Sequence, residues 1–143
     1  FVRDDAGNPV LLDYVIKGHF KDACSMLARV DGSESKKIHR SYKKVLDGLL
    51  FVEPRMIHLK LNGELEMLER PLRASTPQGE RVALVASEMA PAGTSIKFNV
   101  MFYDESALSF DVLREWLDYG KLRGIGQWRN GGYGRYTYTI EKA

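Results

Sequence analysis

The sequence has little cysteine, little net charge and no long hydrophobic run. A single cysteine, Cys24, excludes an internal disulfide framework, and three scattered histidines form no Cys/His cluster at zinc-ligand spacing. No apolar run approaches the roughly 18 residues of a membrane span, and no signal-peptide pattern is present. We therefore expect a cytoplasmic protein without a metal ion, without a cofactor and without membrane contact.

The composition that remains is that of an ordinary globular domain. The chain has 143 residues, 44% of them hydrophobic, which predicts one core and a single domain over residues 1–143. The formal net charge of +2 is too small to indicate nucleic-acid binding by itself, so the positions of the charges must carry that argument. Because the chain begins at Phe1 rather than at Met, we also expect residues upstream of it.

Apolar side chains recur at helical spacing in three stretches. The first runs from Ile16 to Leu27, with Asp13 as a candidate N-cap, and a shorter one covers about 38–45. The third follows Ser106, a candidate N-cap, and ends at Gly120, which has the place of a C′ glycine. We therefore predict three helices.

Alternating side chains predict strands between and after these helices. They lie in "LLFVEPRMIHLKL", in "RVALVAS" within a hairpin-like excursion over about 62–93, in "TSIKFNVMFY" and in "YTYTI". With one further strand upstream of Phe1, the order becomes β-α-β-β-α-β. The sequence thus predicts an α+β fold of the ferredoxin-like (RRM-like) type, with an inserted hairpin.

The stretch "GIGQWRNGGYGRY", residues 124–136, combines five glycines with aromatic and basic side chains, and we call it the glycine loop. Glycines let backbone N–H groups approach an anion, arginines bind phosphate through a bidentate fork, and Trp or Tyr rings stack on bases. The alternative is a flexible connection whose rings fold back onto the sheet. The candidate binding residues here are Arg123, Gly124, Gly126, Trp128, Arg129, Gly132, Tyr133, Gly134 and Arg135.

A second candidate surface lies on the first predicted helix. Lys17 and Lys21 are one turn apart, so both can reach one ligand, and Gly18 beside them permits close approach of another backbone. The alternative is an ordinary solvated helix face. The basic residues between Lys36 and Lys44 likewise fit either a phosphate-binding surface or a solvated face.

Three motifs resemble those of the RAMP superfamily of CRISPR-associated RNA-binding proteins. "GNPVLLDYVIKGHFKDA" is similar to its G-x-P-x-I-P-G-S-S-L-K-G-x-x-R segment, "SEMAPAGTSIKFNV" to its E-x-V-P-x-G-T-x-F-x-F strand, and "GIGQWRNGGYGRY" to its glycine-rich loop. They occur in the same order, from about residue 7 to 140. Leu12–Val15 replaces Pro-Gly-Ser-Ser, and Lys21 replaces the usual arginine. The upstream segment that carries a catalytic aspartate or histidine in some relatives is not in this sequence, so the resemblance implies binding rather than cleavage.

These observations favour a non-catalytic protein that binds single-stranded RNA or a nucleotide, with other subunits of a ribonucleoprotein assembly as further partners. One alternative is a metal-independent endoribonuclease that uses His19 or His39, because imidazole titrates near neutral pH. Another is an interaction or scaffold protein of mobile-element (phage) origin, whose basic residues contact only proteins. The sequence leaves all three open.

Overall fold

A computed structural model describes residues 1–38 and 40–143, and His39 lies outside the described residues. The described residues form both helices and antiparallel strand pairs, so the α+β class is confirmed. The elements are β1 (Val2–Arg3), β2 (Pro9–Leu12), α1 (Asp13–Leu27), α2 (Tyr42–Leu49), β3 (Leu50–Glu53), β4 (Met56–His58), β5 (Glu66–Thr76), β6 (Gly79–Met89), β7 (Asn99–Phe102) and α3 (Phe110–Arg123).

The chain divides into two compact units. The first comprises Phe1–Leu11 and His58–Lys97, and the second comprises Leu12–Ile57 and Phe98–Ala143. The single domain expected over residues 1–143 stays a prediction.

The first unit is dominated by a long β-hairpin. Strands β5 and β6 pair from Glu66 opposite Met89 to Thr76 opposite Gly79, around a two-residue turn at 77–78. The hairpin expected from the sequence is therefore present, and both of its strands are longer than "RVALVAS" suggests.

The second unit contains the main core. Helix α1 packs against α3 and β3, and its Phe20 ring stacks on Trp116 with 5.6 Å between ring centroids. Leu50 of β3 and Leu46 of α2 are fully buried around them. The Trp116 indole N–H donates to Ser35 Oγ at 2.9 Å, which satisfies its polar atom within the core.

Helix α3 begins and ends later than the sequence predicts. Ser109, not Ser106, is the N-cap, and its hydroxyl accepts from Val112 N at 3.3 Å. The Ser106 hydroxyl is instead bound to Asp104 at 2.6 Å. The helix continues through Gly120, and Gly124 with φ +81° follows its last residue. Likewise α1 begins at Asp13, after Leu12 in the N-cap position.

The final strand expected at "YTYTI" is absent, since no described residue after α3 belongs to a strand. Tyr136 and Tyr138 are half-buried and alternate with exposed neighbours, as the pattern suggested. Their hydroxyls donate to α3, to Leu117 O at 3.4 Å and to Asp118 Oδ1 at 2.5 Å. The alternation of half-buried and exposed side chains therefore reflects contacts of the two tyrosines with α3. Without this final strand, the ferredoxin-like strand order is not confirmed.

The strand expected over "TSIKFNVMFY" is shorter than predicted, because only Asn99–Phe102 belongs to β7. Upstream of it, Ser95 forms an isolated bridge with Lys60. None of the helices formed by the described residues has the length and apolar character needed to cross a membrane.

Candidate anion-binding site

Two glycines let the glycine loop close on itself. Ile125 N donates to Gly134 O at 3.0 Å, so the two ends of the loop are hydrogen-bonded to each other. A Cβ on Gly134 would lie 1.9 Å from Ile125 O, and one on Gly124 would lie 2.5 Å from Tyr133 O. Both residues also have a positive φ. Gly124 and Gly134 are therefore required by the loop's own backbone crossing.

The other glycines of the predicted site are open. Gly126 and Gly132 have φ values of +92° and +90°, and no atom lies within 4 Å of a Cβ built on either of them. Between them, Trp128 has a left-handed φ of 59°, and its ring meets Tyr133 edge-on with centroids 6.3 Å apart. The middle of the loop thus exposes backbone beside two aromatic rings.

Two arginines converge on one carboxylate, Arg129 within the glycine loop and Arg123 directly before it at the end of α3, and we call them the loop arginines. Arg123 Nε donates to Asp22 Oδ2 at 3.1 Å, and Arg129 Nε lies 3.9 Å from the same oxygen. Two positive charges therefore share one negative charge. The hydrogen bond to Asp22 raises the pKa of Arg123 above its usual value.

The two guanidinium groups also stabilise the loop. Arg123 Nη1 donates to Asn130 Oδ1 at 2.7 Å, and Arg129 Nη1 donates to Gly126 O at 3.3 Å. Arg129 Nε is buried and has no hydrogen-bond partner among the described residues. An unsatisfied buried donor is costly, so this N–H favours an additional acceptor at the loop.

Arg135 contributes a further positive charge at the end of the loop. Its side chain is exposed, and it forms no ion pair within residues 1–38 and 40–143. This guanidinium group can therefore bind an anion without first releasing a carboxylate.

His19 stabilises the exit of the loop. Its Nε2 lies 2.8 Å from the Tyr136 hydroxyl, and its side chain is only 8% exposed. Burial lowers the pKa of His19 to about 4; the nearby Asp22 opposes this shift and the loop arginines reinforce it. The imidazole is therefore neutral at pH 7. Burial also raises the pKa of Tyr136 above its usual value.

Gly120 provides the space for this histidine–tyrosine pair. A Cβ at this position would lie 1.9 Å from the Tyr136 hydroxyl oxygen and 2.4 Å from His19 Nε2. The glycine predicted to follow α3 thus lies within the last turn of the helix, where close packing requires it.

Lys17 and Lys21 are directed to a different neighbour. The Lys17 ammonium donates to Asp47 O, and the Lys21 ammonium donates to Asp47 Oδ1, each at 2.8 Å. The hydrogen bond from Lys21 lowers the pKa of the Asp47 carboxyl, and the positive charges of Lys21 and Lys17 add to this shift. The structure thus does not bring the two lysines to the loop arginines. Gly18 between them is exposed, with open space at its Cβ position.

Asp22 is the residue of this site that sequence reasoning missed. It follows His19 by one helical turn, so both side chains lie on the part of α1 that meets the loop. The only signal in the sequence was an acidic residue directly after Lys21 on the first predicted helix, and that pattern is too common to be distinctive.

Comparison of the chain with protein-family models, with curated proteins and with solved structures finds no match. Among the described residues, no group of three or more His, Cys, Asp or Glu side chains is arranged to hold a metal ion.

Proposed function

We propose that the chain binds single-stranded RNA or a nucleotide, and that the glycine loop holds its phosphate groups. The observation that carries this proposal is the convergence of Arg123 and Arg129 on the single carboxylate of Asp22. The pair has one more positive charge than its partner can neutralise, and guanidinium groups bind phosphate, like carboxylate, through paired hydrogen bonds.

The surroundings of the arginines support a ligand that carries both phosphate and base. The open Gly126 and Gly132 let a phosphate approach the backbone, as a Cβ would hinder it. Tyr133 is exposed beside them and offers a ring for a base. Arg135 adds a cation that no described carboxylate neutralises.

Asp22 acts in this proposal as an internal competitor for phosphate. A ligand that binds Arg123 must share or replace the 3.1 Å contact with the carboxylate. A phosphodiester carries one negative charge, as a carboxylate does, so the ligand replaces Asp22 only by adding contacts that the carboxylate lacks, such as a second phosphate or a stacked base.

The ferredoxin-like order and the RAMP-type role belong to the same proposal. Strands β3 and β7 are antiparallel neighbours, α1 precedes the first, and α3 follows the second. This α-β-β-α succession fits the middle of the β-α-β-β-α-β order if α2 is an addition between α1 and β3, and if β4 and the hairpin β5–β6 are an insertion between the paired strands. We place the protein in a cytoplasmic ribonucleoprotein assembly, as the resemblance implies.

Fluorescence-anisotropy titration of a short single-stranded RNA tests the proposal. We expect salt-sensitive binding by the wild type and loss of at least about tenfold in affinity when Arg129 and Arg135 are both replaced by Ala, since phosphate contacts dominate affinity. The matched control is Lys43→Ala with Lys44→Ala, which removes two exposed positive charges from α2. Circular dichroism verifies the fold of each variant. No binding by the wild type, or equal loss in both double variants, contradicts the proposal.

A further inference from the structure

The outer side of α1 and the adjoining β3 carry two exposed aromatic rings, each with a cation against it. Lys17 Nζ lies 5.5 Å from the centroid of the Phe51 ring, and Arg55 Cζ lies 5.5 Å from that of Tyr14. The rings remain accessible despite these contacts, since Tyr14 is 57% exposed and Phe51 is 40% exposed. We call these four residues the aromatic–basic face.

The two cations are held in place by neighbouring groups. Arg55 Nη1 is hydrogen-bonded to Asp13 Oδ1 at 2.5 Å, and the Arg55 carbonyl accepts from Asp13 N at 3.0 Å. Lys17 donates to the carbonyl oxygen of Asp47, while the carboxylate of that residue is bound to Lys21. The positive charge of Lys17 is therefore only partly balanced. A ring beside such a cation suits a ligand with a flat base and an adjacent phosphate.

Gly18 is the second, independent observation at this face. It lies in the interior of α1, where glycine costs about 0.5–1 kcal/mol relative to alanine. No atom within 4 Å of its Cβ position explains the glycine by packing, in contrast to Gly120. Gly18 follows Tyr14 by one turn and adjoins Lys17, so it leaves the helix surface open beside these two residues.

We propose that the aromatic–basic face stacks bases of the same single-stranded RNA whose phosphates bind the glycine loop, so this inference rests on the proposed function. Tyr14 and Phe51 supply the stacking rings, and Lys17 and Arg55 neutralise the phosphates that follow the stacked bases. Gly18 lets the strand lie close to the helix.

The test is anisotropy titration with two probes, a short oligouridylate and an abasic ribose-phosphate oligomer of the same length. We expect Tyr14→Ala with Phe51→Ala to weaken oligouridylate binding by about tenfold or more, because stacking contributes that much for each base. Binding of the abasic oligomer changes little. The matched control is Tyr103→Ala, which removes a tyrosine that is 79% exposed and has no cation–π partner among the described residues.

Gly18→Ala provides a variant whose folding is secure, since the added Cβ meets no neighbour. We expect a higher melting temperature together with weaker oligouridylate binding. We call the double variant Tyr14→Ala with Phe51→Ala the ring variant. Unchanged oligouridylate binding in both the ring variant and Gly18→Ala overturns the inference. A loss of affinity in Tyr103→Ala as large as that in the ring variant also overturns it. Polyglutamate is also added as a competitor of the oligouridylate. If it displaces the RNA from the wild type but not from the ring variant, the face binds an acidic protein partner, and the inference is overturned.

The two proposals fail in different ways. Absence of oligouridylate binding by the wild type removes the proposed function and this inference together. Binding that is lost in the Arg129/Arg135 double variant but kept by the ring variant removes this inference alone.

Discussion

The two sides of α1 contrast in how their polar groups are satisfied. On the loop-facing side, His19 and Asp22 are bound to Tyr136, Arg123 and Arg129, at buried or half-buried positions. On the outer side, Tyr14 and Gly18 are exposed, beside Lys17, whose charge is only partly balanced, and Arg55, which is paired with Asp13. The loop-facing side is closely packed and brings charged side chains together, whereas the outer side is exposed, as the proposed ligand contact requires.

This difference shows that glycines of similar appearance in the sequence have opposite roles. Gly120 and Gly134 are required because a Cβ would overlap neighbouring atoms, whereas Gly18 and Gly132 have open space around them. Only the open glycines can serve a ligand directly. The predictions below separate the two classes.

The largest effect is expected for Gly134→Ala, which tests the crossing of the loop ends. The new Cβ would lie 1.9 Å from Ile125 O, and φ is +80°. Strain and overpacking together lower the free energy of unfolding by about 2–5 kcal/mol. Gly132→Ala is the control, since it carries the φ penalty alone and costs about 1–2 kcal/mol. Urea denaturation measures both, and equal losses contradict the assignment.

A pH series tests the buried neutral state of His19. Its pKa of about 4 lies below the ordinary value of 6.5, so the unfolded state takes up a proton more readily. Stability is therefore fully present above pH 6.5 and falls as the pH drops toward 4, by up to about 3 kcal/mol. We expect His19→Gln to reduce this slope in urea titrations between pH 7 and 5. An identical slope in the variant contradicts the burial of a neutral imidazole.

Alanine substitutions of the two helical glycines, Gly120 and Gly18, are expected to change the free energy of unfolding in opposite directions. Gly120→Ala forces the Tyr136 hydroxyl and His19 apart, which costs about 1–3 kcal/mol. Gly18→Ala stabilises α1 by about 0.5–1 kcal/mol, because alanine is the better helix former. Thermal unfolding distinguishes them, and a shared sign would remove the contrast between the two sides.

The smallest effect is expected for Asp22→Asn, which removes the internal competitor while keeping the side-chain shape. We expect RNA affinity to rise about twofold to fivefold, since a half-exposed ion pair contributes roughly 0.2–1 kcal/mol. The free energy of unfolding falls by a similar amount. Anisotropy titration measures the affinity, and weaker binding would show that Asp22 orients the arginines rather than competing for them.

Local pattern predicted the presence of three helices and of the long hairpin, because these elements are specified by their own periodicity. It placed the second helix too early, at about 38–45, whereas α2 spans Tyr42–Leu49. The final strand was predicted wrongly because alternation in "YTYTI" arises from contacts with α3, and period alone does not identify the partner. The end of α3 was misplaced at Gly120, since a glycine required for packing has the same sequence signal as a C-cap.

The candidate site was predicted in part. Arg123 and Arg129 do gather, but around Asp22, through a tertiary contact of α1 with the end of α3 and the glycine loop that no spacing rule reveals, and Arg135 is not part of this cluster. Lys17 and Lys21 were expected to join the loop and instead bind Asp47 of α2. Spacing shows which residues share a side of a helix, but the neighbour that this side meets depends on the packed fold. The lysines and the arginines were therefore wrongly expected to form one site.

The salt dependence of RNA binding tests the central claim most directly. For wild type, the affinity should fall as salt rises, with a slope that reflects the number of phosphate contacts, about 0.7 for each on a single strand. We predict that replacing Arg129 and Arg135 by Ala reduces this slope by roughly one unit, whereas replacing Tyr14 and Phe51 weakens affinity and leaves the slope unchanged. A slope that is the same in the wild type and in the loop variant would contradict phosphate binding by the glycine loop.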